Sequence, residues 1–381
     1  MTACAHVKRK GLPAIFADSV ITWDGVDLEA MALPGSLVHA RRGMPFAPNP
    51  IAKKLYVPHP ELAVSCAGET EFIAPFLDTF HSNIDLYLRH QNPLEPIFTM
   101  LAEYEHKIET LVSWFSERGG GCIRKQVGGS SSLLEEVSTI GSGGEGLDGL
   151  IRGHDARLTW RAKQFNLTPY DVIVELFSQV NSSLVGNDLL FGRPRDWGGF
   201  GEWVYYNPAK RQWDYGPSHL QVFVLGVPLS AGRFTLELSR YVVQYVRPTT
   251  TNPSFVSALD FSGEHKTHTW IFESILASAR VKSPSLITDA LLQPEEICFQ
   301  IFPYCKRELG SIFNCFPCKA DYRVVCNVEG GHLNFAVDPD LIDEWGRAVS
   351  KVWKREYVPL RSISDDEATA AFQSARAGGW D

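Results

Sequence analysis

The sequence predicts a mixed α/β (α+β) fold in which two β-sheets lie between layers of helices, with a further α+β region appended at the C-terminus. Three observations predict it. An alternating N-terminal stretch doubles back on itself within eighteen residues, and a small-residue strand ending in Gly68 gives way at once to helical periodicity. A second helical stretch from Leu147 is then followed by aromatic strands. The layered part covers residues 1–230, and 231–381 form a C-terminal extension to which the sequence assigns no role.

The first element is a β-hairpin. Residues 3–8 alternate, Arg9-Lys10-Gly11 forms the turn, and residues 12–17 run back, which returns Asp18 to the level of residue 2. Residues 23–50 contain Pro34, Pro45, Pro48 and Pro50 and read as an enlarged surface loop. Lys53-Lys54 then opens a strand through Val57, and residues 62–68 form a strand of small residues. Residues 69–90 carry Phe72, Ile73, Phe76, Leu77, Phe80 and Ile84 mostly at helical spacing. Residues 94–115 repeat Ile97, Leu101, Tyr104, Ile108, Leu111 and Phe115 on one face, so a second helix is expected there.

A glycine-rich break at 116–121 precedes a short strand at 122–127. Residues 147–165 and 168–185 read as a helix pair, the second opened by Thr168-Pro169, a capping residue followed by proline at the first helical position. A hairpin turns at Asn207-Pro208-Ala209-Lys210, and two more strands occupy 219–227 and 234–246. The aromatic residues of that hairpin admit a ligand-stacking role, but sheet packing is the reading adopted. Beyond lie an expected helix at 267–279, a strand pair around Glu329-Gly330-Gly331, a helix at 340–356 and a fraying tail at 362–381.

Lysine and arginine number 36 against 44 acidic residues, a formal net charge of −8, which argues against a phosphate-backbone partner and hence against nucleic-acid binding. No apolar run approaches the roughly eighteen residues of a membrane span, and residues 1–10 lack the apolar core of a signal peptide; a cytoplasmic protein with no membrane partner is expected. The glycines at 141–146 lack a Gly-Lys-Ser/Thr ending, so no nucleotide is expected, and no motif demands another cofactor. Cys305, Cys315, Cys318 and Cys326 include one Cys-x-x-Cys pair and offer a four-thiolate zinc set, while their apolar neighbours favour buried thiols; no metal is the reading adopted. His265 and His268 make half a metal site with no further ligand at fixed spacing.

The chemistry concentrates near the start of the chain. Removal of Met1, permitted by a small second residue, would leave Thr2 with a hydroxyl nucleophile and, on the same residue, an amine able to take its proton. That amine, with a reference pKa of about 7.7–8.0, is a usable base near neutrality.

Thr2, Asp18 in Ala17-Asp18-Ser19-Val20-Ile21-Thr22, Lys54, and Gly68 in Ala67-Gly68 stand in an order that resembles the proteasome β-type subunits of the N-terminal-nucleophile (Ntn) hydrolases. The resemblance implies a four-layer αββα sandwich. It makes Thr2 the nucleophile, Asp18 the acid that orients Lys54, and Lys54 the charge that tunes the amine. Gly68 would supply an oxyanion-hole N–H, and the backbone at Thr22 would line the substrate. The segment Val137-Ser138-Thr139-Ile140-Gly141-Ser142-Gly143-Gly144 resembles the family's later Ser-Gly loop, which places Ser142 beside the N-terminus. Asp188 and Asp196 are candidates for a further acid. Against that family the stretch from Phe115 to Ser138 is short, so one or two strands are expected to be missing or displaced.

The resulting expectation is an N-terminal threonine hydrolase, a threonine protease cleaving amide bonds in a peptide or protein substrate. The alternatives are a small-molecule amidase and a non-catalytic proteasome-like assembly or binding subunit. Analogy with the family suggests a homo-oligomer ring and an ATP-dependent unfoldase as partner.

Overall fold

The computed structural model describes residues 3–18, 54–104, 108–125, 132–133, 137–191, 201–216, 218–247, 254–260, 266–272, 280–281, 297–304, 316–319, 324–329 and 332–377. It is a mixed α+β protein whose chain divides into two compact units, the first built on residues up to Gly216 and the second from Pro217 onward, with shorter stretches between 246 and 280 shared out between them. Among the described residues no helix is long and apolar enough to cross a membrane.

The first unit holds two five-stranded antiparallel sheets. One contains β1 (Cys4–Arg9), β2 (Leu12–Asp18), β8 (Val137–Ile140), β9 (Gly201–Asn207) and β10 (Gln212–Tyr215), in the order β10-β9-β2-β1-β8. The other contains β3 (Leu55–His59), β4 (Leu62–Gly68), β5 (Ile108–Ser116), β6 (Gly119–Lys125) and β7 (Ser132–Leu133), in sequence order. The hairpin pairs Cys4 with Ala17 and Arg9 with Leu12, as the alternation predicts, and the left-handed Lys10 and Gly11 close its turn.

Alternation along the strands sorts their side chains into three cores. Ala3, Ala5, Val7, Ala14 and Phe16 pack with Leu147, Ile151, Ile173 and Phe177 of two helices, α4 (Gly144–Phe165) and α5 (Pro169–Phe191). Leu62, Val64, Val112 and Trp114 pack with Phe76, Phe80, Ile84 and Leu101 of α1 (Thr70–Ser82), α2 (Ile84–Arg89) and α3 (Leu94–Ala102). Cys4, Ile15, Ala17, Leu55, Ala63, Ala67 and Leu111 form a third core to which both sheets contribute. Its many small side chains let the two sheets approach closely.

Two departures from the sequence expectation have one physical cause. Residues 94–115 are not one helix: α3 ends at Ala102 and Ile108–Ser116 is the central strand of its sheet. That strand buries Ile108, Val112 and Trp114 on one face and Leu111 on the other, so apolar residues fall at every spacing and mimic a helical stripe. The strand expected at 122–127 begins earlier, as β6, so that Gly119–Gly121 belong to it instead of to a break. The helix expected over 69–90 is interrupted at Asn83, whose side chain donates to the Thr79 carbonyl at 2.8 Å. For α5 the sequence signal holds in detail: Thr168 Oγ1 accepts from the Asp171 N–H at 3.1 Å while Asp171 accepts from the Thr168 N–H at 2.9 Å, a reciprocal capping box ahead of Pro169.

In the second unit β11 (Ser218–Pro228) pairs antiparallel with β12 (Arg233–Arg247). Along the chain follow β13 (Ser254–Asp260), β14 (Lys266–Phe272), β15 (Arg280–Val281), β16 (Ile297–Tyr304) and β17 (Phe316–Lys319). β16 runs parallel to β11 and antiparallel to β17. β18 (Val324–Glu329) and β19 (His332–Val337) form the expected hairpin. The helix expected from 267 is a strand instead, β14, as its Thr, His, Trp, Ile and Phe residues favour; 273–279 lie outside the described residues. Helix α6 (Pro339–Trp353) is capped by Asp338, which accepts from the Asp340 N–H at 2.8 Å, and β20 (Glu356–Tyr357) follows. The tail expected to fray carries α7 (Asp365–Ala377), tied back where Glu367 meets Arg233 at 2.7 Å.

Gly201 starts β9 directly against Phe16 and Asn181. A Cβ there would sit 2.0 Å from Asn181 Oδ1 and 2.1 Å from the Phe16 ring. Gly201→Ala is therefore expected to destabilise the first unit by about 1–3 kcal/mol, the range for overpacking, read from the guanidinium midpoint. An unchanged midpoint would mean that the β9–α5 contact is looser than described.

Candidate functional site

The hairpin brings its two ends together. The Asp18 N–H donates to the Ala3 carbonyl at 2.9 Å, and the Ala3 N–H donates to Asp18 Oδ1 at 2.8 Å. The same oxygen accepts from Lys54 Nζ at 2.5 Å, and the two side chains are 0% and 4% exposed. Lys54 stands just before β3, and its carbonyl accepts from the Cys66 N–H on β4 at 3.2 Å, so the lysine belongs to one sheet and the aspartate to the other. A carboxylate and an ammonium taken from water lose several kcal/mol each, and contact plus an added hydrogen bond is the arrangement that offsets the loss.

Ala3 directly follows Thr2 in the chain, so the peptide link between them starts at this carboxylate. Thr2 itself and Thr22 lie outside the described residues. Gly68 ends β4 with φ of +122°, exposed, immediately ahead of Glu69 and α1. Ser142 is exposed and follows β8 by two residues, past Ile140, the partner of Cys4 in the ladder. The loop carrying it is fixed at both flanks: the Gly141 N–H donates to Glu109 Oε2 at 2.5 Å, and the Gly144 N–H to the Gly141 carbonyl at 2.9 Å. Gly141 has φ of +85°, a conformation that favours glycine.

Cys4 lies among these groups. Burial pushes its thiol up to about 12; the Lys54 charge opposes the rise, and the Asp18 and Glu109 charges add to it. The thiol therefore stays protonated near neutrality and is no rival nucleophile. Glu109 is the charged residue that the sequence reading missed. Its signal was present, a lone acid in the apolar run 108–115, but that run was read as a helix. Asp196, Cys305, Cys315 and His265 lie outside the described residues, Asp188 falls in α5, and Cys318, Cys326 and His268 fall in β17, β18 and β14. Among the described residues no group of three or more His, Cys, Asp or Glu side chains is placed to hold a metal ion.

Asp18 and Lys54 are thus brought together at the point where residue 2 joins β1, with the Ser142 loop following the strand that pairs with β1. Such an arrangement sets a buried positive charge on the carboxylate that holds the N–H of Ala3. No protein-family model matches the chain, and no curated protein matches it.

His6, two residues along β1, is 1% exposed, and neither ring nitrogen has a hydrogen-bond partner among the described residues. Burial first, and the Lys8 charge second, lower its pKa from 6.5 to about 3. The folded protein keeps this ring neutral while the unfolded chain protonates it below about 6.5, so the unfolded state binds the extra proton. Stability should be level in this respect above pH 6.5 and fall by up to about 1.4 kcal/mol per unit as pH drops toward 3. Unfolding titrations of the wild type and His6→Asn across that window should diverge with this slope; parallel pH profiles would show that the ring is solvated or paired.

Proposed function

We propose that this protein is an N-terminal threonine hydrolase of the Ntn type, acting on amide bonds, most simply those of peptides. The observation that carries the reading is the buried Asp18–Lys54 pair, whose shared carboxylate oxygen also holds the N–H of Ala3, the residue after Thr2. An αββα layering of Ntn type is part of the proposal. It is supported by the three cores, two between a sheet and helices and one lined by both sheets.

In this reading Met1 is removed and Thr2 Oγ1 attacks the substrate carbonyl while its proton passes to the α-amine. Lys54, held charged by Asp18, disfavours protonation of that amine through like-charge repulsion and so keeps it a base near neutrality. The carbonyl oxygen becomes an oxyanion against the Gly68 N–H, a contact class worth roughly 2.7–4 kcal/mol in other hydrolases. The C–N bond breaks, the amine leaves with the proton, and an ester on Thr2 remains. Water then attacks that ester, giving the carboxylic acid and restoring the hydroxyl. Ser142 stands as a hydrogen-bonding partner of the amine.

Intact-mass measurement on the purified protein should show loss of Met1, and turnover of peptide-amide substrates should vanish in Thr2→Ala with the circular dichroism spectrum unchanged. Lys54→Ala should lower turnover by orders of magnitude, since the amine loses the charge that tunes it. Retained Met1 would sink the reading and leave the non-catalytic alternative, whereas wild-type turnover in Thr2→Ala would sink it by moving the nucleophile to another residue.

A further inference from the structure

Four segments converge near the start of β1, and one of them, β5, contributes a charged side chain to which the proposed reaction assigns no task. Glu109 pairs across the sheet with Ala67, next to Gly68, and reaches out of its own sheet to accept the Gly141 N–H at 2.5 Å. Gly141 opens the turn that carries Ser142, and its carbonyl accepts from the Gly144 N–H at the start of α4. A bond of this kind, N–H to carboxylate, is among the stronger class of hydrogen bonds. The remaining flank of the loop is held by helix α4 itself, through the Leu147 N–H on the Gly143 carbonyl. The turn therefore has a rigid C-terminal side, and on its N-terminal side the Glu109 contact spans the gap between the sheets.

We infer that Glu109 is a positioning residue: it fixes the Gly141–Gly143 turn, and with it the Ser142 hydroxyl, at the residue-2 end of β1. The task in catalysis rests on the threonine-hydrolase reading, whereas the structural clamp does not. Glu109 touches neither the nucleophile nor the reacting carbonyl in this scheme; it acts through Gly141. Its place beside Gly68 has a second consequence. One strand pair, β4 and β5, then carries both the oxyanion donor and the anchor of the Ser142 loop, so the two stay in register with each other. A displacement of about 1 Å at a positioning group is enough to cost on the order of a hundredfold in rate.

The test uses the full-length protein and four variants: Glu109→Ala, Glu109→Gln, Ser142→Ala and the double variant Glu109→Ala with Ser142→Ala. Glutamine keeps an oxygen able to accept from Gly141 but carries no charge. Glu109→Ala is expected to lower kcat about ten- to a hundredfold with KM within about twofold, and Glu109→Gln to recover most of it. Adding Glu109→Ala to Ser142→Ala should cost little further, because both changes act through one hydroxyl and such pairs are non-additive. Amide exchange at Gly141, followed by NMR without any substrate, should accelerate at least about tenfold in Glu109→Ala and stay near wild type in Glu109→Gln. Unchanged exchange in Glu109→Ala would overturn the clamp, and strictly additive losses in kcat would overturn its action through Ser142. If the wild type shows no Thr2-dependent turnover while exchange responds as described, the hydrolase reading and the catalytic task fall and the clamp stands.

Discussion

Burial of the Asp18–Lys54 pair is the constraint on which the first unit depends. Neither side chain has access to bulk water, so each charge is tolerable only while the other stays in place. Asp18 ends β2 and Lys54 precedes β3, which makes the contact a tie between two sheets whose shared core holds apolar side chains from Ala17, Ala63 and Ala67 to Tyr206 and Trp213. Hydrophobic contact between two such faces tolerates sliding, because it is non-directional. A charge-assisted hydrogen bond at 2.5 Å does not. The pair thus sets which residues of one sheet face which of the other, and it does so at the end of β1 where residue 2 joins.

A second polar tie lies close by. Glu109 leaves the β3–β7 sheet to hold Gly141 of the loop after β8, so this contact and the Asp18–Lys54 pair serve the same end of the same hairpin, while the Trp213 N–H and ring N–H of β10 reach the Pro60 and Glu61 carbonyls of the β3–β4 turn elsewhere. Cys4 lies near enough to feel all three charges, Lys54, Asp18 and Glu109. Further along β1, His6, on the same face as Cys4, is kept neutral by its burial.

What the sequence made legible follows from where each residue sits in its strand. Cys4 to Arg9 and Leu12 to Asp18 alternate because each strand presents one face to helices and the other to the second sheet, and the turn residues between them are of the expected kind. Asp18, Lys54 and Gly68 stand at strand ends, where alternation stops and an acid, a base or a glycine is conspicuous. The strand from Ile108 to Ser116 was illegible for the converse reason. Apolar residues on both faces erase the period of two, and Glu109, at its beginning, was absorbed into a helical pattern. Thr267 to Phe272 failed similarly, its β-branched and aromatic content being the better guide than its spacing.

The same logic explains why a misread strand concealed a residue next to the site without disturbing the other residues assigned to it. Asp18, Lys54 and Gly68 lie in local patterns, a hairpin of known length, a basic pair before a strand and a glycine before a helix, to which the family resemblance attached their roles. Glu109 can be placed only through pairing, since its relation to Gly141 arises from β5 lying beside β4 and the two sheets meeting face to face. Local patterns specify the elements, whereas contacts between sheets are decided by which faces share a core, and that is information no single window of sequence holds. A lone acid within an otherwise apolar run is the trace such a contact leaves. Burying a carboxyl without a donor is costly, so its presence implies a partner from another segment, here the backbone N–H of a glycine thirty-two residues further along the chain.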